Sequence, residues 1–299
     1  MPAGTNEIRM SESKPLGNTQ TSIPALGFGT WRYTGGIETL KAGIEHGAAF
    51  IDTAEVYGSE DLVGQAIAGQ RERVFLATKV APRNFRREKL LEAADRSLRR
   101  LKVDTIDLYQ LHWPNLTVPI EETMAAMEDL VKAGKIRFIG VSNFTVRDLE
   151  RAQAALTTQR IVSNQVCYNL IERTVERELL AYCAQQAITV IAYSPLGTTF
   201  SLLKAADSKG ALSQLARKAG KSEAQVALNW LIAKSNIVVI PKASSPAHAI
   251  EDCGAAGWRL SQDDCAFLED SFPCHRRGAF ATTLARWKRY AEQSVGRQL

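Results

Sequence analysis

The chain has 299 residues, 45% hydrophobic and 23% charged, with a formal net charge of +5. That size and apolar content suffice for one large core, and a small positive charge without blocks argues against a nucleic-acid surface while suiting a phosphate-bearing ligand. Five cysteines (Cys167, Cys183, Cys253, Cys265 and Cys274) show no CxxC or zinc spacing, which excludes a disulfide framework and predicts reduced, mostly buried thiols in a cytoplasmic protein.

Residues 1–13 are polar and are expected to form a disordered leader. They lack an apolar signal core, and no run reaches the length of a membrane span. Residues 14–16 and 21–23 flank Gly17-Asn18-Thr19-Gln20 and predict a small hairpin, placed to plug the bottom of a barrel. Alternation follows: a strand over 26–30, a helix over 39–46, and a buried strand over 48–51 that ends on Asp52. Tyr57 stands across the next loop and Gly58 closes it. A helix over 61–68 precedes a strand over 74–78 that ends on Lys79. Leu90, Leu91, Ala94, Leu98 and Leu101 make one stripe and predict a helix over 87–101. The strand over 106–111 ends on His112, and Pro119 opens the helix after it.

The second half keeps this period. A strand over 136–141 ends on Ser142-Asn143. Thr145 with Asp148, and Ser222 with Gln225, read as capping boxes that start helices. Strands are expected over 162–167, 188–193 and 237–240, with helices over 175–186 and 223–233 and a further helix after Pro246. The interval between the last two strands is long and must hold extra helix. A helix over 262–270 is appended, and another is expected over 285–293. Repetition every 24–32 residues or so predicts a single α/β domain over 1–299, a (β/α)8 TIM barrel.

Four strands ending on polar residues place them together at the C-terminal rim of such a barrel. Taken singly, a strand-end Asp caps a loop, a strand-end Lys is solvated and a strand-end His is a satisfied core residue. Together they make a coherent set. A Lys ammonium beside a phenol lowers the phenol's pKa, a carboxylate fixes the Lys, and a His exchanges a proton nearby. That describes a proton-delivery site around Tyr57, with too few ligands for a catalytic metal.

Residues 47–64 (GAAFIDTAEVYGSEDLVG), 132–144 (KAGKIRFIGVSNF) and 240–242 (IPK) carry a resemblance to the aldo-keto reductase family, in particular to bacterial reductases of aldehydes, ketones and sugar carbonyls such as diketogluconate reductases. The resemblance spans about residues 24–270. It implies a catalytic tetrad of Asp52, Tyr57, Lys79 and His112, with Tyr57 donating a proton to the substrate carbonyl. It implies a nicotinamide cofactor bound without a Gly-rich loop, NADP(H) first and NAD(H) as the alternative. Ser142, Asn143 and Gln165 would hold the carboxamide, and Tyr193 would stack on the ring. Ser194, Leu196 and Thr198 would strap the pyrophosphate. Lys242, Ser244, His248 and Asp252 would serve the adenosine end. There His248 replaces a frequent Arg and Asp252 a frequent Asn, and the added carboxylate should hold a phosphate less well. Trp31, Trp113 and Phe85 would line the substrate pocket, with the tail over 271–299 beside it. The expected partner is a small carbonyl compound, and the expected state a monomer. Two other readings share the barrel: a cofactor-sensing binding subunit without turnover, and a Schiff-base aldolase using Lys79. The pairing of Asp52 with Tyr57 and the Ser142-Asn143 pair speak against the aldolase.

Overall fold

The computed structural model describes residues 12–274. The helix expected over 285–293 lies outside the described residues, as does most of the expected leader. Two residues placed in the expected leader are structured: Glu12 pairs with Arg259, and Ser13 opens the first strand.

The described residues begin with an antiparallel hairpin, β1 (Ser13–Pro15) and β2 (Ser22–Pro24). Then come β3 (Phe28–Gly29), α1 (Gly36–Glu45), β4 (Phe50–Asp52), α2 (Glu60–Ile67), β5 (Phe75–Val80) and α3 (Arg87–Leu101). Next are β6 (Ile106–Leu111), α4 (Ile120–Lys132), β7 (Ile136–Ser142), α5 (Val146–Ala154), β8 (Ile161–Cys167), α6 (Leu179–Gln185) and β9 (Thr189–Tyr193). The long interval holds α7 (Phe200–Ala205), α8 (Ala211–Ala219) and α9 (Glu223–Ile232), before β10 (Ile237–Ile240), α10 (Pro246–Cys253) and α11 (Gln262–Ser271). Both capping boxes form: Thr145 accepts from the Asp148 backbone and Ser222 from that of Gln225, each reciprocated by the partner side chain. The helix expected over 175–186 splits into a short 3-10 turn, Thr174–Glu176, and α6.

Strands β3 to β10 form one eight-stranded parallel sheet in chain order. It closes on itself where Gly27 N donates to Val239 O (2.9 Å), Val239 N to Ala25 O (3.0 Å) and Gly29 N to Pro241 O (2.9 Å). The result is the expected (β/α)8 barrel. Two apolar layers hold it. Inside, Phe50, Phe75, Ala77, Leu108, Ile191, Val238 and Ile240 pack together, with Leu16 and Ile23 of the hairpin closing the N-terminal end. Outside, the helices bury a larger cluster against the strands.

Side chains two positions apart share a strand face. The positions following Phe50, Ala77, Leu108 and Ile191 on the inner face are Asp52, Lys79, Gln110 and Tyr193. The barrel's apolar filling therefore gives way to a polar layer at the C-terminal end. Gly140 makes room for it, since a Cβ there would lie 2.6 Å from Ser163 Oγ and 2.9 Å from Gln110 Cγ. All five cysteines are free thiols, but only Cys183 is buried, and its burial pushes the thiol up to about 12. The expectation of mostly buried thiols fails for the others: Cys167 at the end of β8, Cys253 at the end of α10 and Cys265 on α11 are half-buried, and Cys274 after α11 is exposed.

Candidate active site

Asp52 ends β4 and Lys79 lies near the end of β5, at 2% and 0% exposure. A buried carboxylate requires every lone pair to be answered. Lys79 Nζ donates to Asp52 Oδ1 and to the Thr53 carbonyl (2.8 Å), while Asp52 Oδ2 accepts from Gln165 Nε2 (2.8 Å) and Gln110 Nε2 (3.0 Å). Burial lowers the Lys79 pKa, and the contact with Asp52 opposes that shift.

Tyr57 stands over this pair. Its ring centroid is 5.0 Å from Lys79 Nζ, and its hydroxyl is 3.1 Å from His112 Nε2, a hydrogen bond whose direction follows the imidazole tautomer. Asp52, Lys79 and His112 from three strand ends and Tyr57 from the loop after β4 thus meet at one point. Burial, reinforced by the Lys79 charge, holds His112 well below its usual pKa, so the imidazole is neutral at neutral pH. The Tyr57 phenol departs from expectation. Its pKa is raised well above the usual value, first by burial and then by the negative potential of Asp52 and of Tyr193. The expected acidification by Lys79 does not prevail, because burial of the phenol outweighs it. The phenol is firmly protonated, which suits a proton donor.

Beside the tetrad, Ser142, Asn143, Gln165 and Tyr193 form one hydrogen-bonded strip across β7, β8 and β9. Ser142 Oγ donates to Gln165 O (3.0 Å), Asn143 Nδ2 to Ser142 Oγ (2.9 Å) and to His112 O (3.2 Å), and Tyr193 Oη to Asn143 Oδ1 (3.0 Å). Asn143 and Ser194 take left-handed backbone, with φ of 63° and 49°, so each strand turns sharply at the rim. A ring held by its hydroxyl, next to a row of amide and hydroxyl groups, fits a planar ligand carrying a carboxamide. Two further buried polar atoms, His112 Nδ1 and Trp113 Nε1, find no hydrogen-bond partner among the described residues. Ser194 and Leu196 are half-buried and Thr198 exposed in the loop after β9. The Ser194 carbonyl accepts from Asn169 Nδ2 (3.0 Å), and Gly197 bends that loop at φ 76°.

Lys242, Ser244 and His248 are exposed around the start of α10, where Ser245 caps the helix and Ser244 Oγ lies 2.9 Å from His248 Nδ1. Asp252 departs from expectation. It is 5% exposed, and burial raises its carboxyl to about 8, so at neutral pH it is mostly protonated and adds no full negative charge to this cluster. Trp31 is 50% exposed at the rim beside Arg32, whose guanidinium lies 4.8 Å from the ring centroid. Trp113 follows His112 and is buried. Phe85 is no pocket wall: it packs within the outer core cluster, and its carbonyl accepts from Thr123 of α4 (3.1 Å).

Sequence reading passed over Gln110, whose amide is the second donor to Asp52 Oδ2. Its signal was present: a polar residue on the inner face of an otherwise apolar strand, two positions before His112. Glu55 was also passed over. It ties the Tyr57 loop to the segment after β5 by accepting from Asn84 Nδ2 (2.9 Å) and from the Ala81 backbone.

The chain matches the model of the "Aldo/keto reductase family" over residues 25–271. It is 40% identical over 263 residues to methylglyoxal reductase YeaE of Escherichia coli (strain K12), covering 84% of this chain and 92% of that one. Glyoxal reductase of Bacillus subtilis (strain 168) is 37% identical over 248 residues, with 81% and 86% covered. Among solved structures, an aldo-keto reductase from Klebsiella pneumoniae in complex with NADPH superposes with a TM-score of 0.83 at 36% identity, over 90% of this chain and 97% of that one. With three motifs, a closed eight-stranded barrel and a tetrad assembled at its rim, the chain belongs to the aldo/keto reductase family.

Proposed function

We propose that this protein reduces small aldehydes and ketones, α-oxoaldehydes foremost, to alcohols with NADP(H), Tyr57 donating the proton. The observation that carries the reading is the Tyr57 phenol, kept protonated by burial, 3.1 Å from a neutral His112 and above a buried Lys79–Asp52 pair. The relatives named for methylglyoxal and glyoxal support the substrate class, and the NADPH complex of a structural neighbour supports the cofactor.

When bound, the nicotinamide supplies the hydride. Ser142, Asn143 and Gln165 orient its carboxamide and Tyr193 its ring. Ser194, Leu196 and Thr198 strap the pyrophosphate. Lys242, Ser244 and His248 take the adenosine phosphate at the start of α10, where the helix dipole favours an anion. Asp252, protonated, is a neutral neighbour there. Tyr57 Oη and His112 Nε2 receive the substrate oxygen. As negative charge develops on that oxygen, Tyr57 transfers its proton, and the ammonium under its ring stabilises the phenolate left behind. His112 orients the carbonyl, and Trp31 and Trp113 flank it.

The test is oxidation of NADPH and of NADH with methylglyoxal, glyoxal and larger aldehydes. NADPH with methylglyoxal should turn over fastest. Tyr57→Phe should lower kcat by about 10²–10⁴-fold, the usual worth of general acid catalysis, with cofactor affinity retained. Cofactor binding without turnover of any carbonyl would instead favour the sensing subunit. A Tyr57→Phe protein with unchanged kcat and a full deuteride isotope effect would falsify the mechanism.

A further inference from the structure

Ser59 and Glu60 follow the Tyr57 loop directly and begin α2. Both are buried, Glu60 at 1% exposure, and the chemistry above uses neither. Ser59 Oγ lies 2.9 Å from Thr53 Oγ1 and 2.9 Å from Thr30 Oγ1, and Thr30 Oγ1 also donates to the Asp52 carbonyl (3.1 Å). Glu60 Oε1 accepts from Thr78 Oγ1 (2.8 Å), and Oε2 from Arg100 of α3 (3.4 Å). Thr53 follows Asp52 and Thr78 precedes Lys79. The chain neighbours of both members of the ion pair are therefore tied to one two-residue segment, and that segment also ends the loop carrying Tyr57.

A carboxylate held in the interior needs a reason and a counter-charge. Glu60 pairs with Arg100 and, through Thr78, is held one residue along β5 from Lys79, whose ammonium its negative potential supports alongside that of Asp52. The remaining groups that face it are Thr78 from β5, Ser97 from α3 and the Tyr109 phenol from β6. Burial raises the Glu60 pKa, while Thr78, Ser97 and Arg100 pull it back.

We infer that Glu60 is a positioning residue for the proton transfer: a second carboxylate, held by Thr78 on the opposite face of β5 from Lys79, that supports the ammonium paired with Asp52 beneath Tyr57. This inference rests on Tyr57 being the proton donor. Reduction needs Lys79 charged and Tyr57 protonated, and rising pH removes both. Glu60→Gln keeps the shape and an acceptor for Thr78 but deletes the charge. It thereby makes the ammonium and the protonated phenol each easier to deprotonate.

The experiment is single-turnover reduction of methylglyoxal by the NADPH-loaded protein from neutral to alkaline pH, at low ionic strength. The alkaline limb of the Glu60→Gln profile should move down by about one pH unit, the order expected of one buried charge at an effective dielectric near 20. Glu60→Asp, which keeps the charge, should leave the limb in place. Thr78→Val, which keeps the charge but loses the hydrogen bond, should slow the step without moving the limb. An unmoved limb in Glu60→Gln, or equal shifts in Gln and Asp, overturns the inference. Should Glu60→Gln fail to fold, Arg100→Gln tests it with opposite sign: the limb should rise, and an unmoved limb overturns it. Tyr57→Phe run alongside separates the two readings. A normal rate there brings down the mechanism and the inference together. A lost rate with an unmoved Glu60→Gln limb brings down the inference alone.

Discussion

Asp52 shows what a single residue demands of its surroundings. Its two oxygens are answered by Lys79, Gln110 and Gln165, from three different strands. Losing either glutamine leaves Oδ2 one donor, but losing Lys79 leaves a buried charged oxygen unpaired, at a cost of about 1–3 kcal/mol or more. Asp252 is the opposite case, a buried carboxyl with no cation paired to it among the described residues. Its folded pKa, about 8, lies above its ordinary value of 3.8. Between those values the native state binds more protons than the unfolded state, so this group's contribution to stability falls as pH rises through that window. Asp252→Asn removes the ionisation. Its melting temperature should exceed that of the parent at pH 8 and converge with it near pH 4, as read by thermal unfolding at both. A constant difference across pH would show that Asp252 is already ionised when folded. Residue types at the site were legible because chemistry is written in side chains. Their protonation states were not, because burial decides those, and burial is contributed by distant chain.

Elements are held in place by their ends. Lys14 of β1 is buried, and its ammonium donates to the carbonyls of Ile232 (2.5 Å), Lys234 (2.6 Å) and Ile237 (2.6 Å). These are the end of α9, the turn after it and the start of β10. One side chain therefore caps a helix C-terminus and pins the hairpin to the barrel floor. Lys14→Met keeps the stem and orphans three carbonyls. Unfolding should cost about 2–4 kcal/mol less, from two or more unsatisfied buried acceptors, and amides of β1, β2 and β10 should exchange faster. Unchanged exchange in those strands would show that water replaces the ammonium. Local signals placed most elements well. The apolar stripe over 87–101 and the boxes at Thr145 and Ser222 lie within one element each. The expected single helix over 175–186 failed because the chain there first makes a separate 3-10 turn, where Arg173 pairs with Glu176 and with Glu269 of α11. That ion pair joins residues nearly a hundred positions apart, out of reach of any local pattern.

At the scale of the whole molecule, the barrel separates stability from chemistry. Its N-terminal end is shut by Leu16 and Ile23, and its C-terminal end carries the polar layer. Ile23→Ala should therefore cost about 2–5 kcal/mol, the range for a truncated core Ile, and lower the melting temperature. NADPH affinity and kcat, measured well below that temperature, should not move; a matching loss of affinity would show that the two ends are coupled. The sequence by itself determined the βα period, the barrel and the identity of the strand-end residues, because periodicity and side-chain chemistry are local properties of a chain. Only the tertiary structure decided that Tyr57 is a raised rather than an acidified phenol, that Asp252 is mostly protonated, that Phe85 belongs to the core, that Gln110 donates to Asp52, and that Glu60 is buried against Thr78 and Arg100. Each of those depends on which remote groups exclude water from a side chain and which turn a charge or a proton towards it. That arrangement exists only once eight strands close and bring their ends to one rim.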